Sequence, residues 1–230
     1  LTQKSSGFFF LPRSSEADIA ATVVDLYKNR LPRAYGEETV DRIQVISPSR
    51  KGRPGTENLN IALQEALNPP SPKKKERPSR GAVFREGDKV MQTKNNYALE
   101  WEREDGLKGV GIFNGDIGVI KKIDDENECY IINFDERRVE YDFSFADELE
   151  HAYAITVHKS QGSEYPIVII PVYRCPPGLL TRNLIYTAIT RAQEMVVLVG
   201  REDVLRAMID NDRRAERCTA LRLMLGEGAR

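Results

Sequence analysis

His158, Lys159, Ser160 and Gln161 form an unbroken run of hydrogen-bonding side chains, and Gly162 follows with a backbone free to turn or to approach another group closely. A lysine cation, a hydroxyl and free N–H groups at a helix start are a combination that suits a phosphate. The run emerges abruptly from Tyr-Ala-Ile-Thr-Val (153–157), whose small, aromatic and β-branched residues suit a strand. The expected unit is a buried strand, a polar turn and the start of a helix. The plain alternative is a βα turn whose polar residues only cap that helix.

Two further stretches carry cations in ordered surroundings. NLIYTAITRA (183–192) lies within a predicted helix over 179–193, with Ile185, Ala188, Ile189 and Ala192 at core spacing. Arg191 stands near its end, where a cation gains about 0.3–1 kcal/mol from the helix dipole. A permanently charged, bidentate guanidinium is also the right group for a phosphate. ISPSRKG (46–52) reads as a strand end followed by a basic loop holding Arg50. Other constellations are missing. No G-x-x-x-x-G-K-[ST] is present to cradle nucleotide phosphates, and no strand ends in paired carboxylates. Gly109-Val-Gly111 lacks the strand-to-helix context of a dinucleotide fingerprint. Two histidines, His151 and His158, and three scattered cysteines, Cys129, Cys175 and Cys218, point away from a metal site or a disulfide framework and toward a reducing, cytoplasmic setting.

The elements that position these residues follow from periodicity. With 230 residues, 40% hydrophobic and 30% charged, the chain is long and apolar enough for a sizeable core. Its net charge of −1 gives no global basic field, so nucleic-acid contact must come from a local patch. No apolar run approaches the roughly 20 residues of a membrane span, and no membrane partner is expected. Residues 7–11 read as an entry strand. Ser15 and Asp18 form a capping box that opens a helix with Ile19, Val23 and Leu26 on one face, and Pro32 should stop it. A core strand over 42–47 leads through the basic loop to a helix capped by Thr56, with Leu59, Ala62, Leu63, Ala66 and Leu67 facing inward. Residues 68–80, with Pro69, Pro70, Pro72 and Pro78 around Lys73, Lys74 and Lys75, read as a solvated loop. Residues 87–97 form a strand ending in a polar corner at Asn95 and Asn96, and 98–111 a charged, mobile loop. Runs at 116–120, 129–134 and 138–143, separated by turn material, suggest a small SH3-like β-barrel. A β-branched run at 167–172 and another at 195–199 are buried parallel strands. Helices follow at 204–209 and around Cys218, Leu221 and Leu225. The fold class is α/β: a mostly parallel sheet with helices on both faces, over 1–97 and 151–230, interrupted by the barrel over 98–150.

AYAITVHKSQGSE (152–164) resembles motif V of superfamily 1 helicases, in the form that RecD-like and Pif1-like helicases carry, and YTAITRA (186–192) resembles their motif VI. ISPSRKG resembles motif IV of RecD-like helicases, and the stretches 55–60, 87–97 and 113–118 fit that family too; 98–112 is longer than the family leads one to expect. The resemblance covers about Phe8 to Met208 and is to the C-terminal part of a RecD-like helicase, the family of the exodeoxyribonuclease V alpha subunit. It implies a second RecA-like lobe with an inserted SH3-like domain, and a first lobe before Leu1 carrying the P-loop, without which the fragment should be inactive. It implies ATP with Mg2+ held mainly by that first lobe, 5′-to-3′ travel along single-stranded DNA, and DNA-repair subunits as further partners. Arg191 would act as an arginine finger. Arg50 would approach the nucleotide from the same side, with Gly162 and Glu164 near its sugar or phosphate edge. Thr156, His158, Lys159, Ser160 and Gln161 would hold the DNA backbone without reading sequence, joined by Asn95 and Asn96 unless these only cap a turn. The competing reading is a non-catalytic nucleic-acid-binding or adaptor module built on the barrel.

Overall fold

The computed structural model describes residues 7–79 and 81–212; the helix expected around Cys218, Leu221 and Leu225 lies outside them. The chain begins with β1 (Phe8–Pro12), α1 (Glu16–Asp25), a π turn (Leu26–Arg30), α2 (Leu31–Tyr35), α3 (Thr39–Arg42), β2 (Ile43–Ser47) and α4 (Thr56–Leu67). It continues as β3 (Glu76–Ser79), β4 (Ala82–Arg85), β5 (Lys89–Gln92), β6 (Asn96–Glu102), β7 (Lys108–Ile112), β8 (Ile117–Asp124), β9 (Cys129–Phe134), β10 (Arg137–Asp142) and β11 (Leu149–His151). It closes with β12 (Ala154–Thr156), β13 (Tyr165–Val172), α5 (Arg182–Ile189), β14 (Ala192–Gly200) and α6 (Glu202–Asp210). Among the described residues no helix is long and apolar enough to cross a membrane.

Five strands form a wholly parallel sheet in the order β1-β14-β13-β2-β12. Alternate residues of its strands face opposite layers, as the two-residue period requires. Val45, Ile167, Ile169, Val197 and Val199 pack with Ile19, Val23, Leu26, Tyr27, Leu59 and Leu63 of the N-terminal helices. Ile46, Val168, Ile170, Val196 and Leu198 pack with Leu184, Ile185, Ala188, Val204 and Met208 of α5 and α6. Burial on both faces explains the unbroken β-branched runs. This is the expected RecA-like α/β layer.

Seven antiparallel strands curl around a third core, in the order β11-β5-β8-β9-β10-β6-β7, as the SH3-like barrel. The sheet starts at Lys89 and ends at His151, so it takes up the strand expected to close the first lobe segment at 97. Strand β5 is a shared wall, with Val90 in the barrel core and Met91 in the core of the parallel lobe.

Several local expectations yield to tertiary structure. Pro32 does not end a helix: the π turn bonds Leu31 N–H to the Leu26 carbonyl, and Pro32 then sits in the first turn of α2, where its missing N–H costs little. The end comes at Gly36, with φ of 103°. Helix α4 is capped by Gly55 rather than Thr56, because a side chain there would lie 2.4 Å from the Arg50 and Lys51 carbonyls. Ala62 is exposed instead of inward-facing. The proline- and lysine-rich segment is not all loop, since β3 pairs with β4, with Pro78 in a two-stranded ribbon away from any central position. The expected mobile loop over 98–111 is the β6–β7 hairpin, with Trp101 packed over Gly109.

The two units meet at one buried carboxylate. Asp88 is fully buried and accepts from Asn68 Nδ2 at 2.6 Å, Gln64 Nε2 at 2.6 Å, the Arg85 N–H at 2.7 Å and the Tyr153 hydroxyl at 3.0 Å, with His151 Nε2 at 3.2 Å. Burial alone raises its pKa, but the bonds from His151, Asn68 and Arg85 outweigh this and hold it below the usual carboxylate value. A carboxylate with a lowered folded pKa contributes stability above its unfolded pKa, and that stability is lost as pH falls through the folded one. Asp88→Asn, which points an amide at these donors, should cost about 2–4 kcal/mol at neutral pH by urea unfolding. Its disadvantage against the unsubstituted chain should shrink below about pH 4.

Candidate nucleotide and nucleic-acid interface

Strand β2 feeds the basic loop, which is stapled rather than loose. The Ser47 hydroxyl donates to the Pro54 carbonyl at 2.9 Å and lies 3.2 Å from the Tyr173 hydroxyl, which donates to the Lys51 carbonyl at 3.3 Å. The Ser49 and Arg50 carbonyls accept the Thr56 and Glu57 N–H groups. The N-terminus of α4 is thus occupied by its own loop. Arg50 projects from this loop, half-exposed, with Nε 3.4 Å from Glu57 Oε1 and Nη2 3.8 Å from Glu150 Oε1.

Beside β2 lies β12, three residues long. Its outer edge would be unpaired, but Asn60 substitutes for a neighbouring strand. The Asn60 amide donates to the Ala154 carbonyl at 2.9 Å and accepts from the Ala154 N–H at 2.8 Å. Val157 N–H continues the pairing to Ser47 O at 3.2 Å. After Thr156 the expected helix start does not form. Residues 157–162 make a compact turn in which Ser160 N–H bonds the Thr156 carbonyl at 3.1 Å and the buried Ser160 hydroxyl bonds the Val157 carbonyl at 2.8 Å. Ser160 is therefore a turn-former with its hydroxyl turned inward. Lys159 Nζ reaches Glu150 Oε2 at 2.7 Å. His158 and Gln161 are exposed. Gly162 has φ of 88° and open space where a side chain would stand, so glycine is needed there for conformation, not for room.

Residues 157–164 carry the chain from the C-terminal end of β12 back to the start of β13. In the sheet, Thr156 is level with Ser47, whereas Tyr165 pairs with Ala192 at the opposite ends of the strands. Arg191 sits at that second edge. Helix α5 ends at Ile189 rather than 193, because Thr190 turns the chain into β14, and Arg191 occupies the turn. Its guanidinium donates to the Ser163 carbonyl at 3.1 Å, the Thr187 carbonyl at 3.3 Å and the Thr190 hydroxyl at 3.4 Å. All three acceptors are neutral, and among the described residues no carboxylate pairs with Arg191. Its carbonyl accepts the Tyr165 N–H at 2.8 Å, and Glu164 nearby is exposed and accepts from Gln193 at 3.2 Å.

The expected site residues thus fall into groups. Gly162, Glu164 and Arg191 lie at one edge. Thr156, Lys159 and Arg50 line one small cavity at the other, with Thr56, Asn60 and Glu150. Arg50, expected on the side of Arg191, shares no partner with it, because it follows the far end of β2. Asn96 opens β6 of the antiparallel sheet and Asn95 directly precedes it, and both have internal bonds. Asn95 Oδ1 accepts the Asn114 N–H at 2.9 Å, while Asn96, buried, accepts the Ala98 N–H and donates to Glu148 Oε2, each at 3.1 Å. Sequence reasoning missed Glu150 and Asn60. Neither is near Lys159 or β12 by any periodic signal, apart from Asn60 lying in the stretch that fits the family.

A family model described as the SH3 domain of ATP-dependent RecD-like DNA helicases matches residues 59–134, and one described as the C-terminal domain of UvrD-like helicases matches 151–199. The ATP-dependent RecD2 DNA helicase of Deinococcus radiodurans is 36% identical over 164 residues, 69% of this chain and 20% of that protein. The RecBCD enzyme subunit RecD of Mycolicibacterium smegmatis is 31% identical over 191 residues, 81% of this chain and 30% of that one. The chain thus spans a third or less of these relatives. A chain from a structure titled for DNA unwinding at forked duplex DNA by two coordinating Pif1 helicases shares the fold, with a TM-score of 0.50 at 17% identity over 94% of this chain and 53% of its own length.

The internal bonds of Asn96 lead to a specific expectation. Asn96→Ala should destabilise the barrel by about 1–2 kcal/mol in urea unfolding, yet leave the affinity for single-stranded oligothymidylate unchanged.

Proposed function

Because the chain belongs to the RecD-like superfamily 1 helicases, we propose that it is the second motor lobe of a cytoplasmic, ATP-dependent 5′-to-3′ DNA helicase. In this reading it grips single-stranded DNA at one sheet edge and completes a nucleotide site at the other. The observation that carries it is the setting of Arg191. A guanidinium held by three neutral oxygens keeps its full charge for an anion brought to it, and its direction is already fixed.

ATP bound against this edge supplies the phosphoryl group whose transfer to water drives the motor, with Mg2+ and the remaining phosphate contacts provided by a preceding RecA-like lobe. Arg191 stabilises the charge that grows on the transferring group, a role worth about 10³–10⁵ in turnover where an arginine finger performs it. Glu164, exposed beside it, accepts hydrogen bonds from a sugar hydroxyl. Gly162 supplies the positive φ that brings Ser163 and Glu164 to Arg191. At the other edge Lys159, Arg50 and the Thr156 hydroxyl hold backbone phosphates, with His158 and Gln161 exposed alongside. Such contacts position a strand and carry no sequence information. One short segment joins the two edges, so a shift at the nucleotide moves the grip on the strand. The naming of one relative as a RecBCD subunit supports a place among DNA-repair partners.

Arg191→Ala in the full-length protein should lower DNA-stimulated ATP hydrolysis by at least about a thousandfold and leave single-strand affinity nearly intact. Unchanged turnover would make Arg191 a helix-end cation and favour a non-catalytic nucleic-acid-binding module. Lys159→Ala should weaken oligothymidylate binding and lower the slope of log K against log salt by about 0.7. Residues 1–230 alone, with no phosphate-cradling loop in their sequence, should turn over no ATP in the presence of DNA.

A further inference from the structure

The two cations assigned to backbone phosphates are both already engaged by one carboxylate. Glu150 Oε2 stands 2.7 Å from Lys159 Nζ, and its Oε1 stands 3.8 Å from Arg50 Nη2. The three side chains come from separate elements: Arg50 from the stapled loop after β2, Lys159 from the turn after β12, and Glu150 from β11 at the exit of the barrel. Two oxygens of one anion facing an arginine and a lysine are what a phosphate would also present there. With Glu150 in place, the cavity lined by Arg50, Thr56, Thr156 and Lys159 measures only about 20 Å³, room for a single water.

We infer that the Glu150 carboxylate is an internal stand-in for a strand phosphate, which single-stranded DNA must displace to reach Lys159 and Arg50. This rests on the strand-gripping reading of that edge and adds to it a competitor built into the chain. Three features suit Glu150 to the task. Its backbone is fixed, because Glu150 pairs with Met91 across β11 and β5, Leu149 is buried in the barrel core, and His151 is bound at Asp88. Displacement is therefore a side-chain rotation that leaves the fold untouched. The ion pair is partly solvated, with side-chain exposures of 44% for Glu150 and 28% for Lys159. Pairs in that setting contribute little and exchange readily. Finally, Glu150 leaves the barrel only six residues before Thr156, so a shift of the barrel moves the competitor directly.

The device has a signature in salt dependence. When a phosphate replaces Glu150, the freed carboxylate takes up a solution cation, which offsets part of the counterion release that drives binding. Removing the charge removes that uptake. Glu150→Gln keeps the shape and one acceptor oxygen while removing the charge. In the full-length protein it should bind fluorescein-labelled oligothymidylate about three- to tenfold more tightly at low salt, with a log–log salt slope steeper by roughly 0.5–1. The gain should shrink in a Lys159→Ala background and vanish when Arg50→Ala is added, and Glu150→Gln should retain the thermal melting midpoint. Unchanged or weaker binding by Glu150→Gln, with Lys159→Ala still weakening it, would overturn the inference, leave the grip intact and make Glu150 a fixed support for Lys159. If Lys159→Ala itself has no effect, the strand-gripping reading falls and the competitor falls with it.

Discussion

Everything in the interface depends on keeping one carboxylate charged in the interior. Asp88 gathers donors from α4, from Arg85 at the end of β4, from His151 at the end of β11 and from Tyr153 at the entry to β12. An isolated buried carboxylate would be strongly disfavoured, and here the convergence of donors compensates. The geometric consequence matters more than the energy. His151 ends the barrel and Tyr153 is the last residue before the parallel sheet, with Ala152 between them, so their anchorage sets the direction in which the chain leaves one unit for the other. Asn60, one turn before Gln64 on the same helix, then fixes the edge of β12. Helix α4 thereby acts as a template that places barrel, strand and turn together, and Thr156 and Lys159 inherit their positions from it.

The parallel sheet separates the two halves of the proposed chemistry by the length of its strands. A longer β12 followed by a helix would be the ordinary crossover in such a layer. Here a three-residue strand and a tight turn do the work, and the Ser160, Gln161 and Ser163 N–H groups bond carbonyls of the turn itself. The expected helix start does not form here, and in the proposed reading the side-chain cations are the phosphate-binding groups. The gain is stiffness. A buried Ser160, a positive φ at Gly162 and the bond from Arg191 to Ser163 leave the segment few ways to deform except as a unit.

The legible parts of the fold were those whose burial is one-sided or complete. The runs at 167–172 and 195–199, and Leu59 and Leu63 on α4, announce themselves because apolar periodicity reports burial directly. The β6–β7 hairpin was illegible for the same reason in reverse. Val110 is 64% exposed and Glu100, Glu102 and Lys108 face solvent, so a real strand pair carries the composition of a loop. Around the site, the residue types within 156–164 and at Arg191 were readable because they are contiguous. The regrouping of Arg50 with Lys159 was not, since it depends on which end of the sheet each strand leaves, and that is a property of topology. Glu150 was hidden most deeply: it looks like one more acid in a chain with 35 aspartates and glutamates.

In the proposed reading, the contrast between the two edges in how their cations are balanced follows from what each binds. A strand that slides past needs contacts that are made and broken repeatedly, and cations that return to a carboxylate when released never stand bare in solution. Exchange of one anion for another keeps the barrier to stepping low. A transferring phosphoryl group needs the opposite, a charge whose direction does not change as the reaction proceeds. Neutral carbonyl and hydroxyl oxygens orient Arg191 without neutralising it, so an arriving phosphate displaces no internal anion there. On this proposal the same side-chain type, arginine, serves both edges of the sheet, and its acceptors decide which task it performs.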